Sequence, residues 1–185
     1  MIGVQDLRKG VTFELDGDLY RVLEYQHHKP GRGNAVIRTK LRNLRSGGTL
    51  DRNFTSGERV QDVRLEKRSL QYLYRDGPLY HFMDTDTYEQ PVVPAEAIGD
   101  AAQYLKESMT IDVLFHQGEA LEIELAVTVD LKVTLTEPGV KGDTATGATK
   151  AATLETGLVV QVPLFVEQGD VIRVDTRTGD YLTRA

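Results

Sequence analysis

The 185-residue chain has no cysteine and no tryptophan, and it has only four histidines. Without cysteine it cannot form disulfides, cysteine nucleophiles, or thiolate sites for zinc or iron–sulfur clusters. No apolar run reaches the length of a membrane span, since Gln161 and Pro163 interrupt even residues 158–166. Asp6 and Arg8 do not fit the start of a secretory leader. We therefore expect a soluble cytoplasmic protein without membrane contact.

The reactive side chains also argue against an enzyme. His27 and His28 are neighbours on a predicted strand, so their rings point to opposite faces and cannot share a metal. The serines form no nucleophile elbow of the G-x-S-x-G type, so a hydrolase lacks a nucleophile–base pair. Carboxylates alternate along predicted strands, as at Asp84 and Glu122, which is typical of solvated faces. We expect no metal, no cofactor and no catalytic residue.

What the chain does contain is strand-forming sequence and turns. Seventeen glycines, eight tyrosines and many Val, Leu and Thr residues favour β structure. Short alternating segments between turns predict an all-β chain of three small barrels. Their predicted bounds are residues 1–63 for an SH3-like barrel, 64–127 for an OB-type barrel and 128–185 for a third barrel. Helical spacing is confined to residues 94–109, where Gly99 predicts a short or broken helix.

Charge is distributed unevenly along the chain, although the net charge is only −6. Residues 21–52 carry a net charge of +6, whereas residues 76–130 carry −11. A basic end facing phosphate and an acidic body that limits unspecific contact are typical of a nucleic-acid-binding protein. Solvated strand faces are the alternative interpretation. We favour binding because the charge is one-sided.

The most informative local feature is the turn of the second predicted hairpin, between residues 19–26 and 35–41. Its glycines permit tight turning with positive φ, and Arg32 stands at the apex with a planar, permanently charged, multi-donor group. The turn residues predicted to contact nucleic acid are Lys29, Pro30, Gly31, Arg32 and Gly33. Three basic residues alternate onto one face of the returning strand, namely Arg38, Lys40 and Arg42. A solvated hairpin without a ligand is the alternative.

A second loop, residues 142–150, combines glycines, threonines and a lysine. It departs from a P-loop because Ala148 and Thr149 separate the glycine from the lysine, and strand-like sequence follows where a helix is required. Its small residues and hydroxyl groups suit close approach to a nucleic-acid backbone. A barrel loop without a ligand is equally consistent with this composition.

Motifs along the whole chain resemble the bacterial translation elongation factor P family. The first is the hairpin segment Tyr25-Gln-His-His-Lys-Pro-Gly-Arg-Gly-Asn34 with its continuation to Leu44. The middle of the chain adds Leu70-Gln-Tyr-Leu-Tyr74, Phe82-Met-Asp84 and Tyr88-Glu-Gln90. The more specific C-terminal motifs are Gly139-Val-Lys-Gly-Asp-Thr144, Ala152-Thr-Leu-Glu-Thr-Gly157, Val160-Gln-Val-Pro163 and Val174-Asp-Thr-Arg-Thr-Gly179.

The resemblance implies a KOW/SH3-like barrel followed by two OB folds in an L-shaped arrangement, acting as a monomer. It implies binding to the RNA and proteins of the 70S ribosome between the peptidyl and exit tRNA sites. There the family stimulates peptide-bond formation at stalled consecutive prolines by positioning the peptidyl-tRNA. Arg32 matches the functional tip. The resemblance also implies a contact near the exit-site mRNA codon through Gly142, Asp143 and Thr144. It implies a second contact, with the small subunit, through Tyr181 and Arg184.

The tip departs from the rest of its motif. The family often carries a modified lysine there, and the flanking Lys-Pro-Gly and Gly-Asn resemble that branch. A lysyl-type addition needs an amine, which Arg32 lacks. Rhamnosylated arginine is found in another branch of the family, which the residues flanking Arg32 do not clearly match. Whether a modifying enzyme acts on Arg32 stays open.

A generic OB-fold single-strand binder and an elongation factor P-like paralogue are the binding alternatives. A single-strand binder would offer stacking aromatics in a basic groove. The predicted middle barrel is acidic instead, and its tyrosines alternate with apolar residues, as core positions do.

Overall fold

The structure is a computed structural model that describes residues 1–139 and 147–185. Within these residues the chain is built mainly of β-strands, which confirms the predicted all-β class. It divides into two compact units. The first contains Met1–Lys67 and Leu114–Glu122, and the second contains Arg68–Val113 and Ile123–Ala185. No described helix is long and apolar enough to span a bilayer.

The first unit is organised around one antiparallel sheet with the strand order β1-β6-β2-β3-β4-β5. Its strands are β1 (Ile2–Gly3), β2 (Thr12–Leu15), β3 (Asp18–His28), β4 (Val36–Asn43), β5 (Thr49–Thr55) and β6 (Arg59–Asp62). Asp16 and Gly17 join β2 to β3 with φ values of 53° and 83°, as a two-residue hairpin turn requires. The inward residues form one apolar core, which consists of Val4, Leu7, Phe13, Val22, Ile37, Leu41, Phe54 and Val60.

Two strands of this sheet were not predicted from the sequence. β1 has two residues and β6 has four, so neither is long enough to show a clear alternation of apolar and polar residues. They pair with each other, with Ile2 opposite Val60. β6 also pairs with β2, with Phe13 opposite Asp62, so tertiary pairing defines both as strands.

A second sheet has the order β11-β10-β7-β8-β9. Its strands are β7 (Glu66–Asp76), β8 (Leu79–Asp84), β9 (Val92–Pro94), β10 (Thr110–His116) and β11 (Glu119–Glu124). The predicted helix is broken as expected. It consists of α1 (Ala95–Ile98) and a 3₁₀ segment, Gly99–Tyr104, because Gly99 has a φ of 55°. Helical structure ends at Tyr104, before the predicted residue 109, because Leu105 is extended.

Two expectations for this sheet were wrong. Asp84 is not on a solvated face: its side chain is buried and accepts hydrogen bonds from the backbone N–H groups of Thr87 and Asp86 and from Arg68. These bonds, the backbone ones first, lower the pKa of Asp84. The tyrosines are not all core residues either, because Tyr74 is half exposed and stacks on His81.

The third sheet has the order β14-β13-β12-β15-β16. Its strands are β12 (Thr128–Thr136), β13 (Thr149–Leu154), β14 (Val159–Pro163), β15 (Val171–Asp175) and β16 (Tyr181–Arg184). β13 was not predicted because its sequence, Thr-Lys-Ala-Ala-Thr-Leu, has few bulky strand formers. Its inward residues Ala152 and Leu154 are nevertheless fully packed in the core, against which Tyr104 also packs.

Candidate functional site

The β3–β4 hairpin is the longest paired element of the first unit. β3 has 11 residues, and at about 3.3 Å per residue it spans about 36 Å. Its pairing with β4 runs from Tyr20 opposite Asn43 to His28 opposite Val36. Leu19 is buried near the base, whereas His28 is exposed near the turn. The hairpin therefore carries its turn away from the core.

The turn presents Arg32 as the sequence predicted. Residues 29–35 contain no strand or helix, and the side chain of Arg32 is exposed. Within residues 1–139 and 147–185, Arg32 has no hydrogen-bond or ion-pair partner. Gly33 has a φ of 108°, but Gly31 does not have a positive φ, so only one of the two glycines is needed for the turn. A Cβ at either position would meet nothing within 4 Å.

The basic residues of β4 share one face, as predicted. Ile37, Thr39 and Leu41 are buried, and the intervening Arg38, Lys40 and Arg42 are exposed. This alternation follows from the two-residue period of a strand whose other face covers the core. The three cations therefore line one surface below the turn.

These cations differ in their partners. The Glu122 carboxylate lies 2.5 Å from Arg21 Nη1 and 3.8 Å from Arg42 Nη1. Arg45 lies 3.3 Å from Glu119 and 3.8 Å from Asp18. We name Arg21, Arg42 and Arg45 the proximal group. Because carboxylates already neutralise it, its positive charge is largely used inside the protein.

Lys40 occupies an intermediate position. Its Nζ lies 3.8 Å from Glu24, and Asp51 on β5 is directly opposite Lys40 in the sheet. Both side chains of the Lys40–Glu24 pair are well exposed, so the pair is weak. Two carboxylates nevertheless reduce the local positive potential.

The remaining cations of the hairpin lie nearer the turn. We name Lys29, Arg32 and Arg38 the distal group, and none of them has a carboxylate partner in the part of the chain that the structure describes. Their positive charges and hydrogen-bond donors are therefore available for an external anion. The structure thus concentrates the usable positive charge of residues 21–52 at the far end of the hairpin.

Glu122 is the residue that sequence reasoning misjudged at this site. It was expected on a solvated face, but its side chain is only 23% exposed because it lies between Arg21 and Arg42. The partners are separated by 101 residues in the sequence, so no local pattern reveals them. The one available signal was the excess of acidic residues in residues 76–130.

The remaining predicted site residues come from the last third of the sequence. Gly142, Asp143 and Thr144 lie outside the described residues. Tyr181 is partly buried and packs against the core of the third sheet. Arg184 is exposed, lies 3.6 Å from Asp170 and places its guanidinium 5.2 Å from the centre of the Phe165 ring.

Metal-binding geometry is missing from the described residues, where no group of three or more His, Asp or Glu side chains converges. His27 and His28 follow each other on β3, so their side chains lie on opposite faces. The site consists of cationic and neutral hydrogen-bonding groups.

Family models of elongation factor P match the chain in three consecutive segments. The KOW-like domain matches residues 3–60, the OB domain residues 65–123 and the C-terminal model residues 129–184. The resemblance inferred from the motifs is therefore confirmed, as is the expectation of a KOW-like domain and an OB domain.

Full-length relatives agree with these models. The chain is 56% identical over 185 residues to elongation factor P of Moorella thermoacetica, with 100% of both chains covered. It is 52% identical over 184 residues to elongation factor P of Pelotomaculum thermopropionicum, again with 100% of both chains covered.

Among solved structures, the chain resembles the eukaryotic translation initiation factor 5A from Methanococcus jannaschii. The TM-score is 0.57 at 21% sequence identity, over 66% of this chain and 90% of that chain. At this identity the similarity concerns the fold alone.

Proposed function

The chain belongs to the bacterial elongation factor P family, and from this premise we propose that it relieves ribosomes stalled at consecutive prolines. It is a translation elongation factor. In the proposal it binds the 70S ribosome between the peptidyl and exit tRNA sites, touching ribosomal RNA and proteins. There it holds the peptidyl-tRNA so that the next peptide bond forms faster.

One observation carries this proposal: Arg32 is exposed and unpaired, within the described residues, at the end of a long hairpin. An arginine kept free of internal carboxylates is suited to phosphate or base contacts, since its fork of donors stays available. The length of the hairpin suits a tip that enters a narrow site while the barrel stays outside. We assign to the tip the contact with the acceptor end of the peptidyl-tRNA.

The proposed effect on the reaction is positional. Proline restricts its backbone φ and so limits the geometries that reactants can reach in the peptidyl-transferase centre. Holding the tRNA end in a reactive geometry lowers the entropic part of the barrier. The ribosome performs the chemistry, and in this proposal no group of the factor acts as acid, base or nucleophile.

Further contacts complete the proposal. Residues 1–63, 64–127 and 128–185 act as three domains, with the last near the small subunit. In that domain Gly142, Asp143 and Thr144 contact the region of the exit-site codon, and Tyr181 and Arg184 face the small subunit. Because Tyr181 packs against the core, Arg184 is the more accessible of this pair. The factor works as a cytoplasmic monomer.

Modification of Arg32 is a separate question that intact mass resolves. Arginine lacks the amine needed for a lysyl-type addition, so an enzyme acting here would have to modify a guanidinium. Protein purified from its native host should therefore have either the mass of the unmodified chain or that mass plus a group on Arg32. Peptide mapping identifies the site.

The function is tested with purified components. Adding the chain to reconstituted translation should accelerate synthesis of a Pro-Pro-Pro peptide far more than synthesis of a matched proline-free peptide. The chain should also co-sediment with ribosomes that carry peptidyl-tRNA. Equal acceleration of both templates, or no acceleration, would exclude the proposed role.

A further inference from the structure

One row of side chains on the basic face differs from its neighbours. In the pairing of β3, β4 and β5, Arg38 lies between Gln26 on one side and Asn53 on the other. Directly opposed side chains in a sheet have Cβ atoms about 5 Å apart. All three side chains are exposed on the same face. We name Gln26, Arg38 and Asn53 the amide row.

The adjacent rows have a different chemistry. One step toward the base of the hairpin, Lys40 lies between Glu24 and Asp51, so carboxylates flank the cation. One step toward the turn, the central residue is Val36, which carries no charge. On this face Arg38 is therefore the cation with neutral amides on both sides. An approaching phosphate meets no carboxylate in this row.

The amide side chains of Gln26 and Asn53 make no hydrogen bond within residues 1–139 and 147–185. An amide offers both a hydrogen-bond donor and a hydrogen-bond acceptor. Two amides beside an arginine therefore add directional hydrogen bonds, which binding through charge alone would not need. Strand spacing places the two amides about 10 Å apart across Arg38.

We propose that the amide row binds the sugar–phosphate backbone of RNA, with Arg38 on a phosphate and the amides of Gln26 and Asn53 on ribose 2′-hydroxyls. The assignment rests on the proposed ribosomal function and adds residues to it. A 2′-hydroxyl both donates and accepts a hydrogen bond, which an amide can match. Because DNA lacks this hydroxyl, the amides give the row a preference for RNA.

The first test separates the charged contact from the neutral ones by salt dependence. Ribosome binding is measured at several salt concentrations for Arg38→Gln, for the double variant Gln26→Ala/Asn53→Ala and for the control Thr49→Ala. Arg38→Gln should weaken binding and reduce the slope of log K against log salt by about 0.7 to 0.9, since one phosphate contact is lost. The double variant should weaken binding about threefold to tenfold with an unchanged slope.

The control marks the limits of the effect. Thr49 lies on the same strand as Asn53 but opposite Arg42 of the proximal group, so Thr49→Ala should bind like the parent. Parent-like affinity of the double variant, in a preparation whose parent accelerates Pro-Pro-Pro synthesis, would overturn the amide row and leave the proposed function standing. Failure of the parent itself would instead reject the proposed function.

The second test addresses the sugar. Purified tRNA and a DNA of the same sequence compete at low salt for the fluorescently labelled chain. The parent should bind the tRNA more tightly, and the double variant should lose that preference while Arg38→Gln weakens both competitors equally. A parent without preference, or a double variant that keeps it, would overturn the assignment of the amides to 2′-hydroxyls.

Discussion

The two ends of the β3–β4 hairpin carry the same kinds of residue and use them differently. The proximal arginines are held by Glu119, Glu122 and Asp18, whereas the distal Lys29, Arg32 and Arg38 have no carboxylate partner among the described residues. A count of charges along residues 21–52 gives both ends equal weight. The comparison shows that the partner, rather than the residue type, determines which cations remain available to an external anion.

The physical basis of the difference is burial. Arg21 and Glu122 are each about four-fifths covered, so breaking their pair would leave a poorly solvated charge. The distal side chains are solvated, so removing their charge should change the free energy of unfolding little. Substitutions in the Arg21–Glu122 pair should therefore affect folding, and substitutions in the distal group should affect binding.

The largest expected effect is at the tip. Arg32→Ala should reduce acceleration of Pro-Pro-Pro synthesis at least tenfold, because the only group that reaches the peptidyl-tRNA end in our proposal is removed. The free energy of unfolding should change by no more than about 0.5 kcal/mol, as for other exposed residues. Arg32→Lys should restore the activity only partly, since it returns the charge without the planar donor array.

A matched control distinguishes the tip from general charge loss. Arg52→Ala removes an exposed arginine of the same sheet whose guanidinium lies 5.6 Å from the centre of the Phe54 ring. It should leave most of the acceleration intact. If Arg32→Ala accelerated stalled synthesis as well as the parent does, the tip would be a solvated turn and our site assignment would be wrong.

The next effect is on stability, in the proximal group. Glu122→Gln should lower the free energy of unfolding by about 1–2 kcal/mol, because Arg21 and Arg42 lose their shared counter-charge. Glu24→Gln makes the same chemical change at an exposed pair and should cost less than about 0.5 kcal/mol. Urea denaturation of both variants measures the difference. Equal losses would remove the distinction between the two ends.

A smaller effect concerns salt. Lys29→Gln should reduce the slope of ribosome affinity against salt by about 0.7 to 0.9, because a distal cation that contacts phosphate releases a counterion. Arg42→Gln should leave that slope nearly unchanged, since its charge is balanced by Glu122. A larger change for Arg42→Gln than for Lys29→Gln would place the RNA contact at the base of the hairpin.

Local sequence was sufficient for the parts of the molecule that local physics determines. The broken helix at Gly99 and the alternation that exposes Arg38 each depend on a few neighbouring residues. The apex position of Arg32 follows in the same way from the turn. These features were predicted without knowledge of the tertiary structure.

The remaining features depend on residues that are distant in the sequence. The sequence does not show that Glu122 pairs with Arg21, or that β1 pairs with β6. The amide row could not be predicted because it requires the register of three strands. An irregularity between Val22 and Glu24 shifts that register by one residue. A two-residue alternation counted through this point would place Gln26 on the wrong face.

The smallest expected effect compares the two glycines of the turn. Gly33→Ala places a Cβ on a backbone with a φ of 108°, so the turn must rearrange, at a cost of about 1 kcal/mol, and the acceleration of Pro-Pro-Pro synthesis should fall about twofold to threefold as Arg32 is redirected. Gly31→Ala makes the same change where φ is not positive and no atom lies within 4 Å. It should leave acceleration unchanged and raise stability slightly, because alanine restricts the unfolded chain. Urea midpoints and peptide-synthesis rates are measured on both variants. Equal effects of the two substitutions would show that the orientation of the tip is not set by Gly33, and that Arg32 reaches its contact from a turn without a fixed shape.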